Sequence, residues 1–172
     1  MEPMTFRKPD ARDLAEIEAF KAEFLADGSS MDGTGTLFRD TAEEWLIYLD
    51  KMENRDDPTG LHCYEYGLFN AEGQLLGLLQ IRENLIGYLV EFGGHIGYCV
   101  RPSQRRKGYA SDMLRRGLKL CRQLGLERVM ITCLESNVGS ARTIERCGGV
   151  YEKTIFDDKN YQQNMKRYWC KT

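Results

Sequence analysis

The stretch RPSQRRKGYAS, Arg101 to Ser111, sets three cations in a row immediately before Gly108 and a small residue, Ala110, two places later. Pro102 ends whatever strand precedes it. From about Gly108 onward, Ala110, Met113, Leu114, Leu118, Cys121 and Leu124 fall on one face of a predicted amphipathic helix. A strand, a cationic loop, a glycine and a helix start together make an anion cradle. The first turn of a helix offers unpaired N–H groups and a partial positive charge, and a glycine lets the main chain approach without a Cβ in the way. A pyrophosphate fits such a turn. Neither G-x-x-x-x-G-K-[ST] nor G-x-G-x-x-G occurs, which removes a nucleotide P-loop and a dinucleotide fold. The plainer alternative is an ordinary strand-to-helix turn with solvated cations.

Working outward, GHIGYCV (94–100) is the strand before the cradle, and ERVMITCLES (127–136) is a continuous apolar strand of the kind buried on both faces. Asn137 caps a short helix that stops at Gly148 and Gly149. Upstream, LHCYEYGLFN and QLLGLLQIRENL flank AEG as a β-hairpin, and downstream VYEKTIF and NYQQNMKRYWC flank a DDKN turn. At the start, TFRKP is a short strand and Asp10 caps a helix whose Leu14, Ile17, Phe20 and Phe24 share a face. Residues 27–36, DGSSMDGTGT, read as a polar, glycine-rich, mobile and solvent-facing loop. Thr41 and Glu44 then form a capping box ahead of a helix with Trp45, Tyr48, Leu49 and Met52 as its apolar stripe. This order predicts an α/β or α+β layer architecture with helices covering a mixed sheet.

A chain of 172 residues, 42% apolar, fits one domain spanning 1–172. The net charge of −2, from 24 Lys+Arg against 26 Asp+Glu, provides no broad positive field for nucleic acid, so Arg115, Arg116, Lys119 and Arg122 read as a solvated helix face. Six cysteines without a C-x-x-C pair point to reduced thiols in a cytoplasm, with no metal. No apolar run approaches the roughly 20 residues of a membrane span, and MEPMTFRKPD has no signal-type apolar region, so the expectation is a soluble protein with no membrane partner.

The run Arg105-x-x-Gly108-x-Ala110 resembles the acetyl-CoA-binding motif Q/R-x-x-G-x-G/A of the GNAT superfamily of N-acetyltransferases, and it sits between a strand and a long helix as it does there. GHIGYCVRP is similar to that family's central strand, VMITCLESN to the next parallel strand, and NVGSARTIERCGG to the helix after it, with Asn137 at the position of a frequent asparagine. GHIGYCVRPSQRRKGYA further resembles a bacterial group of predicted acetyltransferases of unnamed substrate. The resemblance implies a mixed, mostly antiparallel sheet of about seven strands with about four helices, in which two central parallel strands splay into a cofactor cleft. It implies that the amides of Arg105, Arg106, Lys107, Gly108, Tyr109 and Ala110 hold the pyrophosphate of acetyl-CoA, with a cation of Arg105–Lys107 near the adenosine phosphate. Backbone groups of Cys99 and Val100 would pair with the pantetheine arm as with another strand.

The implied reaction is direct attack of a primary amine, on a small molecule or a peptide end, upon the acetyl carbonyl within a ternary complex. It needs a base, donors for the oxyanion and a proton for the thiolate. Glu91 and His95 are the candidate bases; by alternation His95, Gly97 and Cys99 share one face and Ile96, Tyr98 and Val100 the other. The family's frequent general-acid tyrosine falls on Ile144, which cannot donate a proton, leaving Tyr98, Tyr151 or solvent for that role. Cys99, Cys133 and Cys147 read as buried filler. Asp27, Asp32, Asp40, Glu43 and Glu44 offer attraction to a cationic amine. The rival to a transferase is a catalytically weak CoA-binding sensor or interaction module, and the expected assembly is a monomer or homodimer.

Overall fold

The computed structural model describes residues 4–172. Strand β1 (Thr5–Arg7) leads through a single 3-10 turn, Ala11–Asp13, into α1 (Leu14–Asp27); Asp10 and Asp13 close a reciprocal cap at its start. α2 (Ala42–Glu53) begins at the Thr41–Glu44 capping box, and β2 (Cys63–Phe69) and β3 (Leu75–Arg82) form the hairpin. Then follow β4 (Ile96–Val100), α3 (Tyr109–Gln123), β5 (Arg128–Leu134), α4 (Val138–Arg146), β6 (Val150–Asp157) and β7 (Gln163–Lys171).

The strands make two antiparallel sheets, one in the order β1-β2-β3-β4 and the other in the order β5-β7-β6. β4 and β5 are joined through the crossing helix α3, and the single bridge between them among the described residues, Gly94 with Ile131, is antiparallel. They meet at one place, where Gly94 bridges Ile131 and the His95 N–H donates to the Met130 carbonyl at 2.7 Å. Beyond it no ladder joins them among the described residues, so the inner edges of β4 and β5 border a cleft. The expected seven strands and four helices are present, the strands forming two antiparallel sheets in place of one mixed sheet.

Each side of the first sheet has its own core. On one side Leu76, Leu79, Ile81 and Ile96 meet Met113, Leu114, Leu118 and Cys121 of α3, and this core runs on through Ile131, Ala141, Ile144 and Tyr168. On the other side Leu75, Leu78 and Cys99 meet Ile17, Phe20 and Phe24 of α1 and Trp45 of α2. At about 25 cal/mol per Å², each such large apolar side chain contributes roughly 1.5–3 kcal/mol of burial. The helical stripes read from the sequence therefore set which face of each helix meets the sheet.

The 27–36 segment departs from the expectation of a mobile, solvent-facing loop. Met31, Gly33 and Thr34 are buried, as is Leu37 just beyond them. The Thr34 hydroxyl donates to the Met31 carbonyl at 2.8 Å, and the Trp45 indole N–H donates to the Thr34 carbonyl at 2.7 Å. Gly33 lies so close to β4 that a Cβ there would stand 2.1 Å from the Gly97 carbonyl carbon. Two apolar anchors, one indole donor and a bare glycine bury a polar stretch that lacks an apolar face of its own.

Candidate active site

The cradle has the form its sequence implies. After β4, Pro102–Gln104 makes one 3-10 turn; Arg106 (φ 65°) and Gly108 (φ 88°) then take left-handed conformations that swing the chain into α3. A Cβ built on Gly108 meets no atom within 4 Å, so the space above it is open. The backbone N–H groups from Arg106 through Ser111 have no acceptor among the described residues; the next amide, Asp112, is the first to bond back, to the Gly108 carbonyl at 3.1 Å. Consecutive unpaired donors at the start of a 15-residue helix can receive a diphosphate.

The cationic side chains divide. Arg105 is tied down: its Nη1 pairs with Asp27 at 3.1 Å, its Nη2 donates to the Ser29 hydroxyl at 2.6 Å, and its guanidinium lies over the Phe24 ring. It anchors the cradle to the end of α1 rather than reaching over the open amides. Arg106 is exposed, and Lys107, also exposed, donates to Gln104 at 2.8 Å, so these two are the cations left to approach an anion. Tyr109 packs against the α3-side core while Ala110 keeps the first turn narrow. Asn137 caps α4, accepting from the Ser140 N–H at 3.0 Å.

On β4 the free edge is displaced by one residue from the expected pair. Arg101 N–H bonds the Leu76 carbonyl, and in an antiparallel ladder residues alternate in direction, so Cys99 opposite Leu78 turns its peptide groups toward β3. Tyr98 and Val100 turn theirs toward the cleft. Val100 and Tyr98 therefore present free peptide groups on that edge, and Cys99 does not. The Arg105 Nε contact to the Val100 carbonyl, 3.3 Å, lies on this open side.

The two candidate bases are not brought together as a pair. Glu91 is exposed on the turn after Gly87–Val90 and makes no side-chain hydrogen bond among the described residues. His95 is half-buried at the fork, where its Nδ1 accepts from the Met130 N–H at 2.9 Å. Burial, helped by the charge of Arg82, lowers its pKa below the usual 6.5, so at neutral pH the ring is uncharged with its proton on Nε2. His95 thus offers a donor, not a free lone pair. Ile144 is fully buried in the core, which is why no proton donor stands there. Tyr98 instead extends from β4 to α4, its hydroxyl 2.9 Å from that of Ser140, with burial raising its pKa. Tyr151 is exposed on β6, bonded to Thr154.

The sequence reading passed over Arg82, Gln80 and Glu65. Alternation puts them on the face of the hairpin under α2, where Gln80 Nε2 donates to Glu65 at 3.2 Å and Arg82 Nε donates to Gln80 Oε1 at 3.0 Å. Arg82 Nη1 donates to the carbonyls of Gly93 and Gly94, at 2.9 and 3.0 Å, and so fixes the entrance to β4. Burial drives the Glu65 carboxyl well above its ordinary range. Facing this string, the Tyr161 hydroxyl of the β6–β7 loop reaches Asp32 of the buried loop at 3.3 Å; burial first, then Asp32, push its pKa to about 12.

Residues 4–150 match the sequence model of the acetyltransferase (GNAT) domain. The uncharacterized N-acetyltransferase YnaD of Bacillus subtilis is 32% identical over 111 residues, covering 54% of this chain and 64% of that protein; the match thus spans just under two thirds of the relative's length. Among solved structures, RimL, a ribosomal L7/L12 alpha-N-protein acetyltransferase in complex with coenzyme A, superposes with a TM-score of 0.73 at 16% identity, over 98% of this chain and 93% of that one. The spermidine N-acetyltransferase of Vibrio cholerae, in complex with CoA and spermine, gives a TM-score of 0.68 at 18% identity, over 98% and 95%. These structural likenesses show the fold, and with the match over most of its length the chain belongs to the GNAT acetyltransferase family.

Proposed function

We propose that the protein is an acyl-CoA-dependent N-acetyltransferase that moves an acetyl group from acetyl-CoA to an amine. The observation that carries this reading is the row of unpartnered amides from Arg106 through Ser111, set beside the open edge of β4. Acetyl-CoA supplies the acetyl group as an activated thioester. The amides and the N-terminus of α3 bind its diphosphate, Arg106 and Lys107 neutralise a further phosphate, and the peptide groups of Tyr98 and Val100 orient the pantetheine arm. The buried 27–36 loop and Tyr161 wall the acceptor side and exclude water from it.

His95, uncharged with Nε2–H, serves as a positioning donor at the fork, and Asp32, exposed at the acceptor entrance, takes the ammonium proton. The Tyr98 hydroxyl, held by Ser140, supplies a proton to the departing thiolate in place of a residue at 144. Two relatives of this fold are described as acting on spermidine and on a ribosomal protein N-terminus, so polyamines and peptide N-termini belong in the first acceptor panel. The test is calorimetric titration with acetyl-CoA, followed in the same samples by thiol release against that panel. Binding with release is expected. Binding without release from a broad panel favours a CoA sensor, and no binding removes the assignment of the cradle.

A further inference from the structure

Arg82 has more binding capacity than its structural task uses. Its Nε and Nη1 are spent on Gln80, Gly93 and Gly94, which hold the guanidinium rigidly in one plane. Its Nη2 makes no hydrogen bond and no carboxylate reaches the group within salt-bridge distance among the described residues. The carboxylates that face it are Glu65, which is linked only through Gln80 and whose Oε1 is itself buried without a partner, and Asp32, which is turned to Tyr161 and Ser30. Tyr48 and Cys63, the other titratable neighbours, are held protonated by burial, each pushed to about 12. A half-buried guanidinium without a contacting anion keeps charge to offer a ligand.

The free Nη2 points at the cleft strand. It lies 3.0 Å from where a Cβ of Gly97 would be, at the margin of the Gly33–Gly97 main-chain contact, whose Gly33 Cα stands 2.7 Å from the same point. An exposed carboxylate, Asp32, borders the same acceptor side. A fixed cationic donor beside the cleft strand and a carboxylate at the entrance together match a ligand carrying both charges.

The geometry points to an acceptor that carries a carboxylate as well as its amine, an amino-acid-like substrate, with the carboxylate bound by Arg82 Nη2 and the ammonium entering past Asp32. This rests on the transferase reading above and narrows its substrate class. Arginine at such a site gives charge-assisted hydrogen bonds that a carboxamide of the same shape cannot replace.

The test offers acceptors in pairs, each L-α-amino acid beside its carboxamide, with acetyl-CoA saturating and thiol release as the readout. The best acid is expected to exceed its own amide in kcat/KM by roughly tenfold to a hundredfold. The amide's amine is the less basic, so its larger neutral fraction works against that result. Arg82→Gln is expected to bring the ratio close to one, acid and amide being compared within each variant so that any shift of β4 acts on both alike, and Arg82→Lys to restore part of it. Equal rates or a preference for amides in the parent protein, or a ratio that survives in Arg82→Gln, overturns the assignment. If no amine in any panel releases thiol, the transferase reading is what fails. The anion site is then judged by the Arg82 Nε–Hε NMR signal of the CoA-saturated protein. A shift with the acids and none with the amides supports the site; no shift, or the same shift with both, overturns it.

Discussion

Replacing Gly108 by alanine separates the cradle's binding role from its place in the fold. Gly108 sits at φ 88°, ψ −2°, where an L-residue costs about 1–2 kcal/mol. A Cβ there meets no protein atom within 4 Å, so no packing clash adds to that cost. For a domain of this size about 1 kcal/mol corresponds to a fall in Tm of roughly 2–4 °C. In the proposed complex the diphosphate stands in that open space in front of the unpartnered amides, and losing even one charge-assisted bond of about 1.5–3 kcal/mol weakens CoA binding by roughly tenfold to a hundredfold. Gly125, at the other end of α3, is the control: φ is 81° and its Cβ also meets nothing. Gly125→Ala is expected to lose similar stability and no affinity. The assay is thermal denaturation paired with calorimetric CoA titration on both variants. Equal CoA affinity in Gly108→Ala and the parent protein, or equal losses of affinity in the two variants, would refute the reasoning.

Four further outcomes are expected. Trp45→Phe removes one of the two donors to the Thr34 carbonyl, leaving the Leu37 N–H at 3.2 Å, and should cost about 0.5–1.5 kcal/mol in urea denaturation, with faster amide exchange confined to residues around 31–37. Because burial lowers the His95 pKa, the unfolded chain takes its proton first as pH falls below 6.5; stability should drop there until the folded ring also titrates, and His95→Asn should lack that portion of the slope. Tyr98→Phe should reduce kcat by roughly 10²–10⁴-fold if its hydroxyl protonates the thiolate, with CoA affinity retained; full turnover would assign that proton to solvent. Of the cysteines, all but Cys147 are buried, so a thiol-directed reagent should label Cys147 first in the folded protein and the rest only on unfolding.

The parts legible in the sequence are those whose evidence is local. The α3 stripe, the Thr41–Glu44 cap and the turn from Pro102 to Gly108 each lie within a few residues, and periodicity or capping chemistry reads them directly. The proposed acceptor side is different because distant segments assemble it. Burial of the 27–36 loop depends on Gly33 meeting Gly97, a property of a pair that neither glycine announces. Asp157 reads as the first residue of a polar turn, yet it is fully buried and accepts from the Tyr88 hydroxyl at 2.6 Å and from the Lys159 amide at 2.9 Å. Glu65 and Arg82 did leave a signal, since alternation puts them on the inner face of an apolar hairpin. The register that joins them through Gln80 was beyond reach.

The Gly33–Gly97 contact also limits how this scaffold can be altered. Main chain rests on main chain there, so the 27–36 loop is set at a fixed height above β4 and cannot be lifted by a side chain without shifting the strand itself. Changes of acceptor preference made by recombination or directed mutagenesis should therefore be sought at exposed positions such as Phe38 and in the β6–β7 loop, with both glycines and Asp32 kept. A library that randomises the whole 28–40 segment would spend most of its members on chains whose cleft strand no longer sits where the cradle expects it.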